Sequence, residues 1–314
     1  MSGGHRVHSL AVLYFDAVRQ ARSIRAASAV LNVSASAVNR QILNLEAGLG
    51  LKLFERTPAG LKLTAAGEIF ARHVAKVLAD TDRMRAELDA LTGINAGHVE
   101  IATIEGLCSD LVPEALAAMR ARHPRVTVRV SILRTGEIPE AVLNGDAHLG
   151  LAFHLERQPE LRQIAVARFM LGAVMAGDAP LAQRASLSLD ELADADLILP
   201  AANFATHGQL RPLLLESHAS RRPLVESGSI DLMKRLAIEG VGVTFLTRVG
   251  IMAELAAGAL AHVPLIHRGK PIYSELGLYA RRSAVLPAAV EVMAEHLAAT
   301  IAARQAGEPL PGSA

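Results

Sequence analysis

The sequence predicts an α-helical head carrying a small β hairpin, then one long helix, then an α/β body. Three observations predict this. Over residues 10–49 apolar positions recur at spacings of three and four, interrupted by short turns. From Phe70 to Leu91 they step four, three, four, three along an otherwise charged stretch. From His98 onward, strand-length apolar runs alternate with helical patterns, as βαβ units and a parallel sheet require.

In the head, Leu10, Leu13, Tyr14 and Val18 form one helical face. Ser23 is placed to cap a second helix, and Ala26, Ala27 and Ala29 let helices approach closely. Asn32-Val33-Ser34 reads as a turn, with Ser34 the N-cap of a third helix. Val38, Ile42, Leu45 and Leu49 are expected to line its buried face. The other face shows Ser36, Asn39 and Arg40 at the N-terminal end, where a recognition helix enters the major groove. Asn pairs bidentately with adenine and Arg with guanine, while Ser bonds either base or a phosphate. Leu51–Phe54 and Leu61–Leu63 flank the Pro58-Ala59-Gly60 turn and form a hairpin, or wing. Its Arg56 and Lys62 set cations beside the backbone or minor groove. Residues 1–67 hold eight Lys or Arg against three Asp or Glu, a local charge of +5 in a chain of net +1. That is the electrostatic footprint of a phosphate binder. A purely structural three-helix bundle with solvated arginines is the alternative. The extension over about fifty residues, wing included, favours DNA reading.

These residues resemble the N-terminal domain of LysR-type transcriptional regulators. The resemblance rests on Phe15, Ser23, Ala26-Ala27, Val33-Ser34, Arg40-Gln41-Ile42, Leu45-Glu46, Leu49-Gly50, Leu53-Phe54-Glu55-Arg56, Leu63-Thr64 and Ala66-Gly67. Three positions depart from the pattern. Arg22 stands where the family often has Gly, Ala35 replaces a common Gln, and Asn39 replaces a common Ser. Ala35 cannot hydrogen-bond a base edge and Asn39 can, so base preference is what these changes alter. The DNA-binding domain is expected over residues 1–64, with Ser23, Arg25, Ser34, Ala35, Ser36, Asn39, Arg40, Arg56 and Lys62 at the duplex.

Residues 65–97 read as a linker helix and hinge. Thr64 is its cap, with Gly67 where a capping-box Glu would stand. Phe70, Val74, Val77, Met84, Leu88 and Leu91 make a heptad-like seam broken only by Thr81. Packing onto its own domain is one use of such a seam. Self-association is the preferred one, because a dimer presents two recognition helices to a dyad-symmetric operator. The resemblance implies the same dimer, and the homotetramer common in the family. Gly93 and Asn95-Ala96-Gly97 end the helix.

In the body, Val99, Ile101 and Thr103 alternate, a helix follows near Val112–Arg122, and Val126, Val128, Val130 and Ile132 alternate strictly. A further helix precedes Asn144-Gly145-Asp146 and a strand at His148–Phe153. Strands are read at Ala165–Ala176, Asp196–Leu199, Leu260–Leu265 and Ile272–Ala280, a turn and strand at Gly240–Phe245, and helices near His207–His218, Ile230–Glu239 and Pro287–Arg304. Residues 307–314 read as a frayed tail. Spacing leaves open one large domain or two lobes. The resemblance implies a LysR-type effector-binding domain over 98–306, related in fold to periplasmic solute-binding proteins. Lobe I would then hold 98–163 plus 270–304 and lobe II 166–266, with crossings near 161–166 and 265–271. The motifs carrying this are Pro124-Arg125-Val126, Gly145-Asp146, Leu149–Ala152 and Gly240–Val243.

A ligand belongs beyond the carboxyl ends of strands, at helix N-termini. That nominates Thr103, Glu105, Cys108, Ser109, Arg134, Thr135, Phe153 and His154, and from the second lobe Asn203, Val243, Thr244 and Thr247. Helix N-termini and Arg134 favour an anionic small molecule. Glu105 argues instead for an amine, a hydroxyl or a zwitterion.

Enzymatic readings find little. Cys108 is the single cysteine, which excludes Cys-rich zinc sites and internal disulfides and fits a reducing cytoplasm. The twelve histidines form no His-Glu-x-x-His, Gly240-Val241-Gly242 lacks a third dinucleotide Gly, and no Gly-x-Ser-x-Gly or P-loop occurs. No catalytic residue, cofactor or metal is expected. With 51% hydrophobic residues the chain is not disordered, and with 3% aromatics and no Trp it is not a single-strand stacking platform. Leu10–Phe15 is too short for a signal peptide, and no run reaches the ~20 apolar residues of a membrane span. The expected protein is a cytoplasmic, ligand-responsive transcription factor. Its partners would be duplex DNA, a small-molecule effector, further copies of itself and, if it activates, RNA polymerase. A solute-binding module without gene control and an enzyme using the α/β crevice are the rivals.

Overall fold

The computed structural model describes residues 9–58, 60–91, 97–202, 204–217 and 223–308. It divides into two compact units, Met1–Arg85 and Ala86–Ala314.

The first unit contains α1 (Leu10–Ala21), α2 (Ile24–Leu31), α3 (Ala35–Leu49), the antiparallel hairpin β1 (Phe54–Thr57) and β2 (Gly60–Leu63), and the start of α4 (Ala65–Leu91). Ser23 and Ser34 act as the expected caps, their Oγ atoms accepting from the amides of Ala26 and Ala37. Phe15 is the centre of the core, 5.1 Å from the Phe54 ring and 4.8 Å, edge-on, from Phe70. Val18, Ala27, Val38, Ile42, Leu53, Ala71 and Val74 close around it.

Two expectations are corrected here. Leu49 is 45% exposed, and the inward position one turn before the end of α3 is taken by Glu46, 5% exposed. The reason is backbone accounting. Glu46 accepts hydrogen bonds from the amides of Leu53 (2.9 Å) and Phe54 (3.3 Å) and pairs with Lys52 Nζ at 2.7 Å, which a leucine cannot do. Burial pulls this carboxyl upward, but Lys52 and the two amides outweigh it and hold the pKa below its ordinary value. The second correction concerns the helical seam. Val74 is fully buried and Phe70 packs on Phe15, so both spend their apolar surface inside this unit instead of on a second copy. Thr81 is buried, its hydroxyl donating back to the Val77 carbonyl at 3.0 Å. Met84 is exposed; the side chains of Leu88 and Leu91, and the hinge at 92–96, lie outside the described residues. Thr64 does cap α4, accepting from Gly67 N at 3.0 Å. Gly67 replaces the capping-box Glu because a Cβ there would lie 2.1 Å from the Leu53 carbonyl oxygen.

The second unit runs through β3 (Gly97–Thr103), α5 (Leu111–Arg122), β4 (Val126–Ile132), α6 (Ile138–Leu143), β5 (Leu149–Phe153), β6 (Leu161–Met170) and β7 (Gly172–Ala176). It continues through β8 (Leu187–Ser188), β9 (Ile198–Pro200), α7 (Ala205–Glu216), β10 (Val225–Ser227), α8 (Ile230–Ile238) and β11 (Thr244–Leu246). It closes with α9 (Met252–Ala256), β12 (Leu260–His267), β13 (Lys270–Pro271), β14 (Tyr273–Arg281) and α10 (Ala288–Ala306). Ten of these strands form two five-stranded sheets, and β9 and β10 pair with each other. The first has the order β4-β3-β5-β14-β6, and its core joins Ile101, Leu149, Leu151, Phe169 and Leu278 to α5 and α10. The second runs β11-β7-β12-β13 with β8 beside β12, over a core of Leu171, Met175, Leu187, Phe245 and Leu265. Each such leucine or phenylalanine contributes about 1.5–3 kcal/mol by burial.

The expectation of parallel pairing holds for β4-β3-β5, for β8 beside β12 and for β9 beside β10. β14 is antiparallel to β5 and β6, and β7 to β11 and β12. The stretch Ala165–Ala176 is two strands, broken at Leu171. β6 stays paired with β14 as far as Met170↔Tyr273, so the crossings between lobes fall at Leu171 and Ile272 rather than at 161–166 and 265–271. The two crossings are bonded to each other, Leu171 N donating to Ile272 O at 2.8 Å. The tail is docked at its start: Glu308 accepts from the Met170 amide at 2.9 Å. Residues beyond 308 lie outside the described residues.

Candidate nucleic-acid interface and interlobe cleft

The first turns of α3 leave Ser34, Ala35, Ser36, Asn39 and Arg40 exposed. Ser34 is occupied as a cap and touches Ser36 Oγ at 3.0 Å, whereas Asn39 and Arg40 have no such duty. Charge pairing sorts the cations. Arg19 is held by Asp16 and Lys52 by Glu46. Arg25, Arg40, Arg56 and Lys62 make no side-chain hydrogen bond or ion pair among the described residues, and all are exposed. Unpaired cations carry no cost of breaking a native partner when a phosphate arrives. A cavity of about 530 Å³ lies among α2, α3 and the hairpin, bringing together Ser23, Arg25, Asn39 and Arg56. Ser34, Ala35, Ser36, Arg40 and Lys62 do not line it. Arg22 does, and sequence reading missed it as a contact, although its departure from the usual Gly was the signal.

In the second unit a cavity of about 540 Å³ spans the two lobes. Thr135, Gly136, Pro139, His154, Leu155, Glu156 and Gln158 face Phe204, Gly208 and Gln209 across it. His154 follows β5 with a left-handed backbone (φ +51°), and its Nε2 lies 3.1 Å from Gln209 Oε1. Gln209 Nε2 donates to the Tyr273 carbonyl at 2.7 Å, and its Oε1 also accepts from Ser274 Oγ. This network assigns the proton to His154 Nε2 and leaves Nδ1 as an acceptor. Burial lowers the His154 pKa, against the Gln209 bond and Glu275, so the ring is neutral at pH 7.

Of the nominated ligand residues, Thr135 and His154 line this cavity and the others do not. Phe153 packs edge-on against Phe169, Val243 lies in the second core, and Thr244 is buried against Met233. These three are corrections: strand alternation turns them into the packed layers. Thr103 is fully buried, its hydroxyl donating to the Leu151 carbonyl at 3.0 Å. Thr247 is buried, while Ser109 and Arg134 are exposed, the latter 3.7 Å from Glu137. Asn203 lies outside the described residues. Cys108 is half-buried; burial, then Glu105, push its thiol pKa up, which disfavours the thiolate.

Glu105 has a different task. It reaches from the first lobe to cap α8 of the second, accepting from Ser229 Oγ (3.0 Å) and the amides of Ile230 (3.1 Å) and Asp231 (3.5 Å). Beside it Asp110 Oδ2 accepts from Gly250 N at 2.8 Å, and the nearly buried Lys234 donates to the Gly250 carbonyl. Two carboxylates of one turn thus hold backbone amides of the opposite lobe. Gln209, Gly250 and the Glu105 cap carry no sequence signal, because spacing does not say which loops meet across a cleft.

Residues 11–68 match the model of the bacterial regulatory helix-turn-helix protein, lysR family, and residues 93–302 that of the LysR substrate binding domain. The chain is 26% identical over 288 residues to the HTH-type transcriptional regulator BbuR of Bordetella bronchiseptica, covering 91% of this chain and 87% of that one. A full-length single-residue variant of OxyR from Pseudomonas aeruginosa superposes with a TM-score of 0.73 at 21% identity, covering 93% and 95% of the two chains. Full-length CbnR in complex with its target DNA superposes at 0.58 with 23% identity, covering 92% and 98%.

Proposed function

Since the chain belongs to the LysR family of bacterial transcriptional regulators, with a helix-turn-helix domain and an effector-binding domain, we propose how this sequence divides that work. Asn39 and Arg40 read base edges from the start of α3, while Arg25, Arg56 and Lys62 hold phosphates. The observation that carries this is the set of exposed, unpaired cations around that helix end. LysR regulators bind DNA as oligomers; here two copies meet through α4 beyond Phe70 and Val74, from Val77 and Met84 onward, and dimers join into tetramers. A small molecule enters the cavity at Thr135, His154 and Gln209 and shifts operator binding by favouring one lobe arrangement over another. An activated promoter would add RNA polymerase as a partner. No described helix is long and apolar enough to cross a membrane, and the proposed site of action is the cytoplasm.

The test separates base from phosphate contacts. On a duplex selected from a random pool, Arg40→Ala loses about 1–3 kcal/mol of specific binding with little change for random DNA. Arg56→Ala weakens both and flattens the salt dependence. Unchanged preference in the first variant removes base reading by Arg40, and an unchanged slope in the second removes the phosphate role of Arg56.

A further inference from the structure

We infer that Arg22 is a DNA-backbone contact, an inference that rests on the DNA-reading proposal above. Arg22 ends α1 in the left-handed region, at φ +50° and ψ +20°. Only Gly adopts that conformation freely, with Asn next, and an arginine there is strained. The turn needs the conformation. The Arg22 carbonyl accepts from Leu61 N at 2.9 Å, and Gly60 lies so close that a Cβ on it would be 2.8 Å from that oxygen. The hairpin tip is thereby fixed against the α1–α2 turn by backbone alone.

The side chain of Arg22 contributes nothing to this arrangement. It is exposed, and among the described residues its guanidinium makes no hydrogen bond or ion pair. A glycine would build the same turn without strain. Backbone strain at a residue whose side chain the fold does not use points to function. Arg22 lines the cavity that also holds Arg25, Asn39 and Arg56, and Lys52 on the same lining is engaged by Glu46. Three arginines without partners among the described residues, and an asparagine, on the lining of one hollow suit an oxyanion with two terminal oxygens, which a planar fork grips bidentately. In a duplex reader that group is a phosphodiester of the strand lying between α3 and the wing. Arg22 supplies affinity and register there, not base preference.

The full chain is titrated with a labelled random-sequence duplex over a sodium chloride series, as wild type and as Arg22→Gly, Arg22→Asn and Arg22→Lys. The Gly and Asn variants are expected to bind more weakly, with a slope of log affinity on log salt shallower by about 0.9 for each Arg22 in contact. The Lys variant keeps the slope. Gly and Asn fit the left-handed turn, so these variants melt no lower than wild type. Unchanged slopes in the Gly and Asn variants overturn the inference. So does a slope lost equally in the Lys variant, or a loss accompanied by a lower melting temperature. A wild-type chain that fails to bind duplex at all would instead remove the DNA-reading proposal itself.

Discussion

Replacing Gly250 with alanine sets a methyl group against the Gly106 carbonyl oxygen across the gap between lobes. An ideal Cβ at residue 250 lies 2.3 Å from that oxygen, and contacts under 3.0 Å are not tolerated, so the two must part by about 0.7 Å. The residue also has φ +91°, which costs an alanine about 1–2 kcal/mol whether the lobes are open or closed. That part lowers fold stability without touching the lobe equilibrium. The separation acts on the equilibrium. It breaks the 2.8 Å bond from Gly250 N to Asp110, a bond to a charged acceptor with a net contribution of about 1.5–3 kcal/mol. At 1.36 kcal/mol per tenfold, the open arrangement gains roughly 10- to 150-fold in population. Hydrogen exchange reads this directly, because the Ile230 and Asp231 amides are bonded to Glu105 of the opposite lobe. In Gly250→Ala both should exchange faster by that factor, while β3 and β7 amides keep their protection. Unaltered exchange at Ile230 and Asp231 would show that this corner does not hold the lobes together.

Glu46→Gln should lower the melting temperature of the DNA-binding unit, losing about 1–3 kcal/mol with its charge and one strong acceptor. Its folded pKa is depressed, so the stability it adds is complete above pH 4.5 and lost as pH falls below that value; the Gln variant should flatten the acid limb of a melting-temperature profile. His262 presses on Gly172 at the lobe crossing with its Nε2 buried and, among the described residues, without a hydrogen-bond partner; burial, then Arg248, lower its pKa to about 4. Between pH 6.5 and 4 the unfolded chain takes up a proton that the folded chain refuses, so stability falls with pH, by about 3 kcal/mol in all. Urea midpoints of wild type at pH 7 and pH 5 should differ by more than those of His262→Gln, and equal differences would remove His262 as the cause.

The head was legible because its residues do local work. Ser23 and Ser34 cap the helices that begin one residue later, and Thr64 caps α4, all from neighbours in sequence. Periodicity places Leu49 on the buried face and does not single out Glu46, because it cannot see that the Leu53 and Phe54 amides need an acceptor inside. Phe70 and Val74 fit a dimer seam and a core equally well by spacing, and Phe15 decided between them. In the cleft, Thr135 and His154 were reachable because they follow strand ends. Gln209 was not, because its role depends on Tyr273 and Ser274, which are 64 and 65 residues further along the chain.

The strand order of the first lobe also sets a timetable for synthesis. β14 lies between β5 and β6, and β6 pairs with β14 alone, yet β14 begins 120 residues after β5 ends, at Tyr273 against Phe153. At about 5–20 residues per second, a ribosome takes roughly 6–24 s to deliver it. During that interval the β3-β4-β5 ribbon waits with an open edge along Leu149–Phe153, all five residues of which are apolar or glycine. The second lobe, contiguous between the crossings, can finish folding first. The nascent chain is therefore most exposed to mispairing while its second lobe is being made, and the completed molecule retains no trace of that gap because β14 seals it.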